Sequence, residues 1–306
     1  MIMGASTTRK AFVVIAFVTY IISLIFAYLN TAGVGIYRST NGAIDRKYFQ
    51  HVSPAGTAFG IVWPIIYVWN LVAIVYLFVS LFLPPNKSPV NNNPTLVTYP
   101  FLAAYILAWS STIGWLFAFD NEILELSFVI LILAAGSVYV ALGASCKVVR
   151  QNVLHLEANC KVMLWLVRIF LQNGLGLPAT WLTIATLLNL ADVMIYQDSK
   201  SSTIAIQRGT VSIEDGSTAA LSLLWVIVVA WFILENFVWE KYCRYLFTIY
   251  PVIILALSGL IGRLRFVDGA NRNLVLASVE LGFVCVVLIV RVGLSIYRYK
   301  TRPVLA

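Results

Sequence analysis

Charged residues are scarce in this chain. Asp, Glu, Lys and Arg make up 11% of its 306 residues, whereas hydrophobic residues make up 60%. A soluble domain carries roughly 25% charged residues, because its surface must be solvated by water. The composition therefore excludes a water-soluble globular protein and predicts a chain whose main solvent is lipid.

Histidine and cysteine are also sparse. The two histidines, His51 and His155, have no nucleophile or metal-ligand cluster at a catalytic spacing. The last apolar segment has no interior lysine for a Schiff base, which argues against a retinal protein. The four cysteines fall near helix ends or inside the last span and do not make a disulfide framework. We therefore expect no catalytic residues, no metal site and no enzymatic activity.

Long uncharged stretches recur along the whole sequence. Roughly 20 apolar residues cross the hydrocarbon core as a helix, because only a helix satisfies its own backbone polar groups there. The sequence predicts an all-α, polytopic integral membrane bundle with about eight spans, at 11–30, 58–83, 99–119, 124–146, 162–196, 218–238, 245–262 and 274–296. A loop rich in Ser, Thr and acidic residues at 197–217 divides them. We therefore expect a five-helix unit at 1–200 and three additional helices at 201–306.

The formal net charge of +8 comes from Lys and Arg residues in short loops beside the spans. Such residues set membrane topology, so they imply a lipid bilayer as partner and no nucleic acid. An even number of spans places both termini on one side, and more cations fall on that side than on the other. The terminal side carries Arg9, Lys10, Lys87, Lys147, Arg150, Lys161, Lys241, Arg244, Arg298, Lys300 and Arg302, against Arg38, Arg46, Lys47, Lys200, Arg208, Arg263, Arg265 and Arg272. The positive-inside rule therefore predicts cytoplasmic termini.

Two predicted helices are interrupted in the same way. Pro64 stands four residues after Gly60, and Pro178 stands four residues after Gly174. Each proline removes the helical hydrogen bond to that glycine carbonyl and predicts a kink. In lipid the freed carbonyl must face protein, water or a ligand, so these turns either line a cavity or are packing kinks.

Aromatic and polar residues share one face of each of three spans. A polar group facing lipid is costly, so these faces should point into the bundle. Together they would make an aromatic-walled cavity for a flat hydrophobic ligand, or they would fill the core and bond across helices. The faces comprise Phe59, Trp63, Ile66, Tyr67 and Asn70 in the second span, Tyr105, Thr112, Trp115 and Phe119 in the third, and Trp181, Ala185, Leu188, Asn189 and Asp192 in the fifth.

Several charged residues lie within predicted spans. Arg291 is close enough to the end of the last span to snorkel, and Glu280 lies several turns away from it, so we do not pair them. Arg168 either reaches an anionic ligand or headgroup, or bonds a carbonyl. Asp192 is expected near a helix end, in solvent. His51 stands three residues before Pro54, either at the pocket mouth or solvated in a loop.

Three segments resemble the tryptophan-rich sensory protein and translocator protein family. Residues 54–67, PAGTAFGIVWPIIY, are similar to its loop-to-second-helix motif, and residues 178–189, PATWLTIATLLN, to its fifth-helix motif. Residues 114–117, GWLF, resemble its third-helix tryptophan segment. The order and the helix placement of all three agree. The likeness covers about 10–196, and three further helices follow, as in longer members of the family.

The resemblance implies a five-helix bundle with a pocket under the first loop. The family binds porphyrins, sterols or synthetic aromatic ligands there, and several members form homodimers. When the family's motifs are matched to this sequence residue by residue, Trp63, Trp115 and Trp181 would form the pocket wall. The candidate ligand-binding set, with Asn70 and Thr112 added from the helix faces, is Phe59, Trp63, Tyr67, Asn70, Thr112, Trp115, Trp181, Ala185 and Asn189.

The leading hypothesis for function is a membrane sensor or carrier that binds a porphyrin-like or sterol-like molecule. The sequence indicates no definite cofactor, and a tetrapyrrole or a sterol is the candidate ligand. The alternative is a small-solute transporter or channel, in which the kinked second and fifth helices gate a polar path past Asn70, Asn189 and Asp192. A third hypothesis gives the three extra helices a structural or partner-binding role.

Overall fold

The computed structural model describes residues 6–200 and 202–301, and most of these residues are helical. One short antiparallel ladder joins β1 (Tyr196–Gln197) and β2 (Ile206–Gln207), with Tyr196 opposite Gln207. The α-helices are α1 (Thr7–Ala32), α2 (Asn41–Lys47), α3 (Gly56–Val79), α4 (Tyr99–Asp120), α5 (Leu124–Gln151), α6 (Val153–Asn159), α7 (Lys161–Leu166), α8 (Asn173–Ile195), α9 (Ile213–Ile233), α10 (Glu240–Cys243), α11 (Ile249–Leu264) and α12 (Asn271–Thr301).

Seven helical stretches in the described part of the chain are long and apolar enough to cross a membrane, which confirms the all-α, multi-pass architecture. Two of them contain a π-helical segment: Val167–Gln172 joins α7 to α8, and Leu234–Val238 continues α9. The predicted span at 245–262 differs from the expectation. It forms α11, whose 16 residues rise about 24 Å, less than the roughly 30 Å of a hydrocarbon core. The apolar run is shortened because residues 239–248 form α10 and a turn before the helix begins.

Helix ends follow local capping chemistry. The Thr98 hydroxyl accepts the Phe101 N–H at the start of α4, and the Ser212 hydroxyl accepts the Asp215 N–H at the start of α9. Gly33 ends α1 in the left-handed conformation, with φ of 65°, which a residue without Cβ adopts at little cost. These caps satisfy backbone groups that a helix leaves unpaired at its ends.

The continuous helix Lys161–Ile195, which contains α8, lies at the centre of the bundle. Its apolar window is 67% buried, against 28% for α1. It packs against α3 and α5 on one side and against α9 and α11 on the other. α1 packs on α3 and α4, and α12 packs on α9 and α11. α9 and α11 are therefore in direct contact with the first five spans, and α12 packs on those two helices.

Two glycines allow α11 to approach its neighbours closely. The Ala55 N–H donates to the Gly259 carbonyl at 3.1 Å, and a Cβ on Gly259 would lie 2.6 Å from the Cβ of Ala58. A Cβ on Gly176 would lie 2.3 Å from the Thr248 hydroxyl oxygen. Any larger residue at either glycine would push α11 away from the start of α3 or from α8.

Candidate ligand-binding site

The proline in α8 creates a polar contact between two helices. Pro178 has no N–H, so the Gly174 carbonyl loses its helical donor. The side-chain amide of Asn70 in α3 supplies it instead, with 2.9 Å between Asn70 Nδ2 and the Gly174 oxygen. Pro64 and Gly60 in α3 lie on the exposed surface. Of the two proline positions, Pro178 thus lies in the interior, where the carbonyl that it frees joins α8 to α3.

Aromatic rings from α3 and α8 meet about two helical turns from this contact. The Phe59 and Trp63 rings both lie edge-on to Trp181, with centroid distances of 5.4 and 6.0 Å. Trp63 also stacks on Tyr67 at 5.4 Å, with the planes 19° apart. Edge-to-face and offset-stacked pairs are the favoured geometries for such rings. The second and fifth spans therefore share one aromatic cluster.

The α4 side of the site is connected to α8 through a polar pair. Trp115 Nε1 lies 3.5 Å from Asn189 Oδ1, a long hydrogen bond between two buried side chains. Trp115 also stacks on Phe119 at 5.3 Å. The Thr112 hydroxyl donates to the Trp109 carbonyl at 2.8 Å, within its own helix. Asn189 therefore contacts α4 directly, whereas the Thr112 hydroxyl bonds a backbone carbonyl of its own helix.

Two residues that the sequence analysis did not select join the cluster. The Tyr20 hydroxyl of α1 donates to the Tyr67 carbonyl at 2.5 Å, and its ring lies edge-on to Trp109 at 4.6 Å. The Tyr67 and Trp109 rings are 6.1 Å apart. Trp109 could have been found, because it lies four residues after Tyr105 and so on the same helix face. No spacing or motif in the sequence singles out Tyr20 in the same way.

Burial divides the nine candidate residues into two groups. Phe59, Trp63, Tyr67 and Ala185 keep accessible surface, whereas Asn70, Thr112, Trp115, Trp181 and Asn189 are buried. The Trp181 Nε1–H is buried without a hydrogen-bond partner, and so is the Trp109 Nε1–H. The cluster thus combines accessible ring surface with indole donors that have no acceptor.

The loop from Gly33 to Ala55 is held down by polar contacts with several helices. Asp120 at the end of α4 accepts the backbone N–H groups of Arg38 and Ser39, at 3.0 and 2.9 Å. Lys47 pairs with Glu122 at 2.5 Å, and Arg263 of α11 pairs with Asp45 at 3.1 Å. Burial raises the pKa of the Asp45 carboxyl, and the Arg263 guanidinium opposes that rise.

The Asp45–Arg263 pair connects the first loop to a helix that lies beyond the first five spans. The loop also covers Asp192 of α8. Asp192 is buried and one of its carboxylate oxygens, Oδ1, has no partner, so the expectation that it is solvated was wrong. Residues of the loop pack over the helix end and exclude water from it.

The sequence profile of the TSPO-like protein family matches residues 13–234, more than two thirds of the chain. This chain belongs to the TSPO-like protein family. It is accordingly an integral, multi-pass membrane protein, as its seven long apolar helices also indicate. Comparison with curated proteins and with solved structures finds no significant match. The match runs through the first six spans and past residue 200.

His51 is buried in this TSPO-like protein, against both expectations for it. Its backbone N–H donates to the Ser217 hydroxyl at 2.9 Å, and its ring Nδ1 lies 3.2 Å from the Asn273 side-chain amide nitrogen. An amide nitrogen can only donate, so this contact is a hydrogen bond when Nδ1 carries no proton. Burial lowers the pKa of His51, Glu214 opposes this, and Arg263 adds to it. His51 connects the first loop to the last helices and lies outside the aromatic cluster.

The intramembrane charges of the TSPO-like protein are more deeply buried than expected. Arg291 does not snorkel: it is fully buried, 3.5 Å from Glu235, and its Nη2 donates to the Cys243 carbonyl at 2.5 Å. Both carboxylate oxygens of Glu280 are buried without a partner, and Arg291 is not paired with it. Arg168 pairs with Glu157 at 3.2 Å, and its guanidinium lies 4.0 Å from the Tyr245 ring centroid.

Two cavities of appreciable size lie beside α8 rather than among the candidate residues. One of about 730 Å³ lies between α5, α8, α9 and α11, and one of about 400 Å³ lies between α3, α8 and α11. None of the nine candidate side chains lines either of them. In the described residues, no group of three His, Cys, Asp or Glu side chains is placed to bind a metal ion.

Proposed function

We propose that this TSPO-like membrane protein binds a hydrophobic small molecule, porphyrin-like or sterol-like, against the aromatic cluster of α3, α4 and α8. The observation that supports this most is the pairing of accessible ring surface on Trp63 and Tyr67 with the unpartnered indole N–H of Trp181. A flat apolar ligand with an acceptor would cover the rings and take the buried donor.

The position of the first loop supports the same proposal. The loop is fixed by Asp120, Glu122 and Arg263 at the end of the bundle where α3 begins and α4 ends, so it can exclude water from a ligand that enters there. These contacts connect the loop to α4 and α11. A ligand bound between the helices would therefore change the order of the loop. A sensor or a carrier requires such a coupling between its site and its surface.

A protoporphyrin titration of the purified full-length protein in detergent tests this function. We expect saturable quenching of tryptophan fluorescence. Trp181→Phe, which removes one donor and keeps a ring, should weaken binding about fivefold, the value of one neutral hydrogen bond. Trp63→Phe should weaken it by a similar factor because less ring surface is available.

Trp225→Phe is the matched control for these variants. Trp225 stacks on Phe283, away from the cluster, so its replacement should leave the dissociation constant unchanged. The proposal is contradicted if Trp63→Phe and Trp181→Phe bind protoporphyrin as tightly as the wild type and Trp225→Phe do. A saturable flux of a polar solute in proteoliposomes, abolished by Asn189→Leu, would favour the transporter alternative instead.

A further inference from the structure

The larger cavity forms an apolar groove on the seam between the first five spans and the helices that follow. It has a volume of about 730 Å³ and is partly open. Its lining includes Tyr139, Gly143, Thr183, Leu224, Trp231 and Ile253. Along α9 and the π-helical segment that continues it, the lining runs from Leu224 to Trp239, a length of roughly 20 Å. That length exceeds half of a hydrocarbon core of roughly 30 Å, so the groove spans at least one leaflet.

Polar side chains inside the groove are already hydrogen bonded. Thr180 donates to the Gly176 carbonyl at 2.9 Å, and Thr183 donates to the Ala179 carbonyl at 2.8 Å. The Tyr139 hydroxyl lies 2.8 Å from the Thr183 hydroxyl, to which it donates, because Thr183 uses its own hydrogen on Ala179. These walls therefore offer a hydrocarbon surface, which favours an acyl chain over a ligand with polar groups along its length.

A basic cleft adjoins one end of the groove, and Cys146 and Tyr242 line both spaces. The cleft has a volume of about 30 Å³, enough for one or two water-sized atoms. Its lining contains four cationic side chains, Arg150, Arg168, Lys241 and Arg244, and Lys147 lies at the adjoining end of the groove. Glu157 pairs with Arg168 and Glu240 pairs with Arg244, whereas Lys147 and Lys241 are exposed at the edge of the two spaces.

Gln172 gives independent evidence for a ligand in the cleft. Its side chain is 4% exposed and lines the cleft, and its amide nitrogen Nε2 has no hydrogen-bond partner. A buried donor without an acceptor costs roughly 1–3 kcal/mol, so a donor facing an accessible cleft indicates that an acceptor binds there. Gln172 ends the π-helical segment Val167–Gln172, and such segments are frequent at functional sites.

We propose that the groove and the cleft together bind one anionic phospholipid, with an acyl chain along α9 and the phosphate at the mouth of the cleft. The cations attract the phosphate, and the Gln172 amide donates to one of its oxygens. Arg298 near the end of α12 donates to the Asn236 carbonyl, and Ser6 lies against Tyr99 at the start of α4, so both ends of the described chain lie on the side of the cleft. The positive-inside rule places the cytoplasmic leaflet and its anionic lipids on that side. The lipid would then fill the seam between α5 and α9.

The test uses full-length protein in neutral detergent micelles and phosphatidylglycerol with brominated acyl chains, whose bromine quenches nearby tryptophans. Trp231 and Trp239 line the groove, so we expect saturable quenching with brominated phosphatidylglycerol and at least tenfold weaker binding of brominated phosphatidylcholine. Lys147→Gln and Lys241→Gln change exposed side chains and should each weaken phosphatidylglycerol binding about fivefold.

Matched controls separate the site from general charge and packing effects. Lys10→Gln removes an exposed cation from the same side of the bundle, on α1, and should leave the affinity unchanged. Gly143→Leu projects into open space in the groove and should abolish the saturable quenching. Gly136→Leu lies two turns away on the same helix, also in open space and outside the groove lining, and should preserve it.

Equal affinity for the two lipids, or unaltered binding in Gly143→Leu, would overturn the proposal. Loss of binding in Lys10→Gln to the same extent as in Lys241→Gln would also overturn it, since the attraction would then be nonspecific. The Trp63→Phe variant should bind the lipid as wild type does. Failure of the aromatic pocket proposal therefore leaves this result interpretable.

Discussion

The side-chain amide of Asn70 donates a hydrogen bond to the carbonyl of Gly174, the group that Pro178 deprives of its helical donor. Asn70 Nδ2 also lies 2.9 Å from the Ile66 carbonyl of its own helix. One amide group thus joins two helices at the depth where a free carbonyl would have no water to bond. The proline and the asparagine are two parts of one structural device.

This pairing predicts a non-additive mutational effect. Asn70→Ala leaves the Gly174 carbonyl without a donor and should lower the free energy of unfolding by about 1–3 kcal/mol, visible as a lower Tm. Pro178→Ala restores an N–H that can bond Gly174 within the helix. The double variant should therefore lose less stability than Asn70→Ala alone, and a double-mutant cycle measures this. Strictly additive changes would contradict the account.

Acidification should destabilise the protein through His51. Burial lowers its pKa, so the folded state takes up the proton at a lower pH than the unfolded chain, in which a histidine titrates near pH 6.5. The stability that His51 contributes is present above that pH and is lost as the pH falls below it. Tm should decrease between pH 7.5 and 5.5 in wild type, and much less in His51→Gln. His155→Gln changes an exposed histidine and should behave as wild type.

The order of the first loop should depend on Asp120. Asp120→Ala removes the acceptor for the Arg38 and Ser39 N–H groups, so these amides should exchange with deuterium at least tenfold faster. Asp215→Ala removes an exposed carboxylate elsewhere and should leave that exchange unchanged. If protoporphyrin binds beneath the loop, saturating ligand should slow the exchange again. Exchange that is unaltered in Asp120→Ala would show that other contacts order the loop.

The two buried glutamates of the last helices should respond in opposite ways to the same change. Glu235 is paired with Arg291, and the Tyr250 and Trp231 side chains donate to it, so Glu235→Met should cost about 3–5 kcal/mol by leaving Arg291 buried without its counter-ion. Glu280 has no partner, so Glu280→Met should leave Tm unchanged or raise it. Equal destabilisation by both would contradict the assigned contacts. Urea or thermal unfolding in detergent measures both.

Hydropathy predicted the fold because lipid imposes a simple length requirement on each span. The predicted segment at 99–119 corresponds to the helix Tyr99–Asp120, and the one at 162–196 to Lys161–Ile195. The segment predicted as a span at 245–262 forms the shorter helix α11, because the apolar run continues through the turn that precedes the helix. Mean hydropathy over a window does not change where a helix begins inside an apolar run, so it cannot locate that boundary.

Contacts between distant parts of the chain were beyond the reach of the sequence. Arg291 was expected to snorkel because its partner Glu235 lies 56 residues earlier, on another helix. His51 was placed at a pocket mouth or in solvent because Asn273 follows it by 222 residues. The helix faces that carry Trp63 and Trp181 followed from periodicity, whereas the groove beside α5 and α9 depends on how α9 and α11 pack.

The account depends most on where a ligand binds within the bundle. The most direct measurement is an experimental structure of the full-length protein with protoporphyrin at a saturating concentration. The account predicts density between α3, α4 and α8, in contact with Trp63 and within hydrogen-bond distance of Trp181 Nε1. Saturated binding with density only in the groove between α5 and α9, and none against Trp63 and Trp181, would contradict it.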